Sequence, residues 1–105
     1  MIRGEELLRM KMRKSTGNVF RDLGFKSDEA ASLKVRAMLM VELEKHIRAN
    51  HLTQKQAAER LGVTQPRISD LTRGKIDLFS VDTLITMLTH AGLKVDVRVK
   101  RSAAA

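Results

Sequence analysis

Residues 52–75 place two short amphipathic stretches on either side of a glycine, and each stretch carries its own start and stop signals. Thr53 stands where a helix N-cap belongs, and Gln56 follows three residues later, the spacing of a capping box. Gly62 suits the left-handed position that closes a helix. Thr64 is the cap of a further helix running to Arg73, with Val63 and Ile68 spaced to staple its start. Pro66 falls in the first turn, where a missing N–H costs little. Gly74 ends the run. Leu52, Ala57, Leu61, Val63, Ile68 and Leu71 then occupy positions that pack the two helices at a steep angle, and Ala57 is small where they approach. The face opposite Ile68 and Leu71 is left free. It carries Thr64, Gln65, Arg67, Ser69 and Asp70, the kinds of donors and acceptors that read base edges in the major groove. In such a helix pair the start of the second helix enters the groove while the first crosses the backbone.

The flanks read as a small helical domain. Ser27 is a candidate N-cap, with Asp28 and Glu29 in the first turn, where the helix dipole favours acids. The helix it starts extends towards Asn50. Leu33, Ala37, Met40, Leu43 and Ile47 form one apolar stripe, while Met38, Leu39 and Val41 fall outside it. A helix apolar over so much of its circumference requires burial on more than one side, which reads either as a core helix or, more sharply, as a dimer contact. Ser80 caps a last helix that Gly92 stops, with Phe79 and Leu84 as its staple. Residues 93–100 then alternate apolar and polar with period two, which predicts a half-buried strand. An isolated strand needs a partner. The candidates are residues 18–20, the same strand of a second copy, or the edge of another protein. Residues 1–16 read as a basic, flexible N-terminal arm with Met10 and Met12 as alternative starts. Residues 17–25, with Val19, Phe20, Leu23 and Phe25, read as a short extended piece or turn on the core. The domain is therefore expected over 17–92, with a short tail at 101–105.

Charge points to a polyanion. Lys and Arg number 20 against 12 acidic residues in 105, a net charge of +8, which suits nucleic acid. Within 51–76 lie Lys55, Arg60, Arg67, Arg73 and Lys75 against only Glu59 and Asp70, whereas 77–92 is acidic. With no Trp or Tyr, the chain lacks the aromatic platforms that stack single-stranded bases, so duplex DNA is favoured over single-stranded RNA. Absence of cysteine excludes thiolate metal sites and cysteine nucleophiles. His46, His51 and His90 lie in separate segments without metal-ligand spacing. Ser69 beside Asp70 lacks an oriented histidine, and no glycine-rich phosphate loop is present, so an enzyme is not expected. No cofactor is expected either. Neither a membrane span nor a leader is legible, which predicts a cytoplasmic protein.

The stretch LTQKQAAERLGVTQPRISDLTRGK resembles the Xre/Cro/CI family of helix-turn-helix repressors. It shows that family's leading Thr-Gln, Ala-Ala, Leu-Gly, second Thr-Gln, Ile-Ser and closing Gly-Lys. The resemblance implies a mainly α, lambda-repressor-like bundle of four or five helices with a short C-terminal β-strand. It implies that Thr64, Gln65, Pro66, Arg67, Ser69 and Asp70 face the bases. Gln54 would bond a phosphate and buttress Gln65, and Arg73 and Lys75 would contact phosphates. Asp70 repels phosphate unless it accepts from a cytosine or pairs with Arg67, an ordinary helical spacing. Two departures stand out. Pro66 occupies a place where many members carry a base-reading polar residue, which implies readout by shape or apolar contact. The family's Trp-Glu is replaced at Asp70, Leu71 and Thr72. More loosely, the flanks NVFRDLGF and GKIDLFSVDTLITML look like Xre-type antitoxins that regulate themselves and neutralise a RelE/HigB-like toxin. The expected function is thus sequence-specific binding of double-stranded DNA by a homodimeric repressor, with an antitoxin role implied. The alternative is a protein-interaction module that keeps the fold and neutralises a partner without specific DNA binding.

Overall fold

The computed structural model describes Gly24 and residues 26–101. The expected arm, the piece over 17–25 apart from Gly24, and the end of the tail lie outside the described residues. Among those described, four α-helices follow one another: α1 (Ser27–Ala49), α2 (Gln54–Leu61), α3 (Gln65–Thr72) and α4 (Val81–His90), with a 3-10 turn at Ile76–Leu78 before α4. Helix α1 lies mainly against α4, α2 packs on α3, and α4 also reaches α2.

Apolar periodicity fixes this packing. Ala30, Leu33, Ala37, Met40, Leu43 and Ile47 of α1 are buried together with Ala57, Ala58, Leu61, Ile68, Leu71, Phe79, Leu84, Met87 and Leu88. Each Leu, Ile, Met or Phe among them contributes about 1.5–3 kcal/mol on burial, and each Ala less. Leu39 and Val41 are half-buried against this core. Val35 and Met38 remain 44% and 45% exposed, so the second apolar side of α1 is only partly covered. Arg36 ties α1 to the 3-10 turn by donating to the Ile76 carbonyl at 3.4 Å. Glu44, buried on the same helix, is paired with the Arg48 guanidinium at 2.8 Å.

Two expectations are corrected. Lys26, not Ser27, is the N-cap of α1, and Ser27 is its first helical residue. Helix ends shift by a residue when the local signal is short. More consequentially, residues 93–101 form no strand. Leu93 is anchored by its N–H to the Leu88 carbonyl at 2.9 Å, and Val95 packs against the core. Beyond that the segment is irregular, because a ladder needs a second strand and none lies beside it among the described residues.

Candidate nucleic-acid interface

Helix α2 is held by local signals that act as the sequence predicts. The Thr53 hydroxyl accepts from the Gln56 N–H at 3.1 Å, and the Gln56 side chain accepts from the Thr53 N–H at 2.9 Å. This completes the capping box. Gly62 closes α2 at φ 72°, in the left-handed region. A Cβ there would also stand 3.2–3.3 Å from the His90 ring at the end of α4. The turn between the two helices is thus fixed by backbone freedom and by a neighbour from the far end of the domain.

Thr64 stands at the cap of α3, but its hydroxyl makes no capping bond. The physical reason lies in Pro66. An N-cap oxygen serves the second or third N–H of a helix. Pro66 has no N–H, and the Arg67 N–H is already given to the Thr64 carbonyl at 3.1 Å. The Thr64 hydroxyl is left without a capping bond on an exposed residue. Thr64, Gln65 and Pro66 are all exposed, whereas Arg67, Ser69 and Asp70 are half-buried and Ile68 and Leu71 form the inner face. The structure therefore brings the expected base-facing residues onto one helix whose first turn is the most open part.

Three side chains behave in ways the linear sequence does not display. Arg67 places its guanidinium carbon 4.4 Å from the centre of the Phe79 ring. Such stacking is worth about 0.5–2 kcal/mol, depending on desolvation. A guanidinium over a ring keeps its N–H donors for other acceptors. Asp70 does not pair with Arg67. It pairs with Lys75, whose amine lies 3.6 Å from its carboxylate. The chain folds back after Gly74, with the Lys75 N–H bonded to the Asp70 carbonyl at 3.0 Å. That return brings the lysine to a carboxylate whose helical neighbour is already stacked elsewhere. Gln54 and Gln65 are both exposed and share no hydrogen bond, so the expected buttress is absent; two solvated amides have no need of one another. Arg73, the C-cap of α3, is exposed and has no ion pair among the described residues. Phe79 is the site residue that sequence reading missed. In the sequence it stood out only as the staple residue before α4 and as the sole aromatic after the motif, neither of which points to Arg67.

Comparison with known proteins agrees with this fold. A family model described as a helix-turn-helix domain matches residues 19–100. A solved structure described as "Putative XRE Family Transcriptional Regulator" is similar, with 31% sequence identity and a TM-score of 0.66, covering 71% of this chain and 84% of that one. No curated protein matches the sequence significantly.

Proposed function

The chain belongs to the helix-turn-helix domain family, and on that premise we propose that it is a sequence-specific, double-stranded-DNA-binding transcriptional regulator that acts as a homodimeric repressor. The observation that carries the reading is the first turn of α3. It is backed by α2, apolar on its inner face, and open at Thr64, Gln65 and Pro66. Gln65 supplies a bidentate amide of the type that reads adenine, and Arg67 supplies a guanidinium for guanine. Ser69 and Asp70 lie further along the groove. Pro66 contributes shape and apolar contact. Gln54, Arg73 and Lys75 meet phosphates, with Lys75 also neutralising Asp70. A single helix of this length discriminates poorly, so two copies set about one DNA turn apart, roughly 34 Å, complete the reading.

Gln65→Ala is expected to weaken binding to the operator by about 1–3 kcal/mol while leaving affinity for scrambled duplex nearly unchanged. Titration of both duplexes measures this. Equal losses on the two would remove Gln65 from base readout and favour the module that retains the fold without reading DNA. Arg73→Ala is expected to act differently. It should weaken binding to every sequence and flatten the slope of log K against log salt by about one. A slope unchanged by that substitution would mean that Arg73 does not neutralise a phosphate.

A second role, neutralising a RelE/HigB-like toxin, is supported only by the flanks' resemblance and by Val35 and Met38, which α1 leaves uncovered. Growth of cells expressing a RelE/HigB-like toxin, with and without this chain, tests it.

A further inference from the structure

The chain leaves α4 beside the entry to α3. The His90 ring, at the end of α4, lies against Gly62, where an added Cβ would stand 3.2–3.3 Å from it. Gly62 closes α2 just before Thr64, where the open first turn of α3 begins. After α4 the chain turns at Gly92, with φ 84°. It is then tied down twice, by the Leu93 N–H on the Leu88 carbonyl at 2.9 Å and by Val95 against the core. From Asp96 to Arg101 every residue is exposed. Positive charge is concentrated there. Residues 94–101 hold Lys94, Arg98, Lys100 and Arg101 against Asp96 alone. Asp96 lies 3.8 Å from Lys94. Arg98, Lys100 and Arg101 have no ion pair among the described residues, so their N–H donors stand ready for a polyanion.

We propose that Arg98, Lys100 and Arg101 form a basic arm that grips the DNA phosphates bordering the base pairs read by α3. The inference rests on the DNA-binding reading above and extends its footprint. The position of the arm's root selects the occupant, because DNA held by the first turn of α3 runs past the end of α4. Val95 is the anchor, and residues 96–101 reach at most about 20 Å beyond it when extended. A duplex carries a phosphate charge about every 1.7 Å along its axis. An arm of that reach therefore meets several phosphates. It holds no amide side chain and no aromatic ring, so it supplies charge and grip, not base readout. Its irregular backbone lets each cation settle on a phosphate without disturbing the core.

Fluorescence anisotropy of the full chain on a scrambled duplex of about 30 base pairs, roughly three turns, tests this. A scrambled duplex suffices because phosphate contacts carry no sequence information. Arg98→Gln, Lys100→Gln and Arg101→Gln together are expected to flatten the slope of log K against log salt by about two to three. The melting temperature of the free protein should not change. A control of equal charge, Lys26→Gln, Lys34→Gln and Lys45→Gln at exposed positions on α1 and its N-cap, should move the slope by less than about one. An unchanged slope in the arm variant overturns the proposal. Equal flattening in the control overturns it too, by assigning the effect to net charge. A lowered melting temperature in the arm variant does the same, because the arm would then belong to the domain's own acidic surface. The two readings fail separately. A chain that binds no duplex overturns the DNA reading and the arm with it. A chain that binds duplex with a slope indifferent to the arm overturns the arm alone.

Discussion

Phe79→Ala is expected to destabilise the domain by about 3–5 kcal/mol, the usual cost of emptying a buried aromatic site. Phe79 is 1% exposed and lies among the largest buried side chains, between the 3-10 turn and α4. Small domains hold only about 5–15 kcal/mol in total, so the variant should be partly unfolded at growth temperature. Urea denaturation followed by circular dichroism reads the shift in midpoint. A loss under about 1 kcal/mol would mean that the site collapses around the gap. Phe79→Leu separates packing from stacking. It keeps much of the apolar volume but removes the ring beneath Arg67. Its stability loss should be smaller, yet operator affinity should still fall, because Arg67 loses the surface that orients it. Unchanged affinity in a folded Phe79→Leu variant would show that the ring is a core residue only.

Gly62→Val is the second large effect, expected at about 2–4 kcal/mol from left-handed backbone strain and crowding. At φ 72° any side chain is disfavoured, and a β-branched one most of all. The new Cβ also meets the His90 ring. Because His90 is exposed at the end of α4, its ring can turn aside, and the backbone should carry the greater share. A double-mutant cycle with His90→Ala apportions the two. The second change is expected to recover less than half of the loss. Full recovery would assign the cost to the ring contact and not to φ. The turn that Gly62 closes sets the angle between α2 and α3, so a folded Gly62→Val protein should also bind DNA less selectively.

What the sequence determined by itself was local. The capping box at Thr53 and Gln56, the positive φ at Gly62 and Gly74 and the inner stripe of α1 all rest on residues within a turn or two of each other. So does the open first turn of α3. Propensity, capping and periodicity act over that range, so the text carries them directly. Tertiary structure decided whatever joins distant residues. Arg67 meets Phe79 across the chain reversal after α3, and Lys75 claims the carboxylate that helical spacing had assigned to Arg67. Pro66 silenced the Thr64 cap only because the Arg67 N–H had another acceptor. The apolar alternation after Gly92 showed what the segment is able to form. A strand, unlike a helix, takes its hydrogen bonds from elsewhere, so its formation depends on what lies beside it.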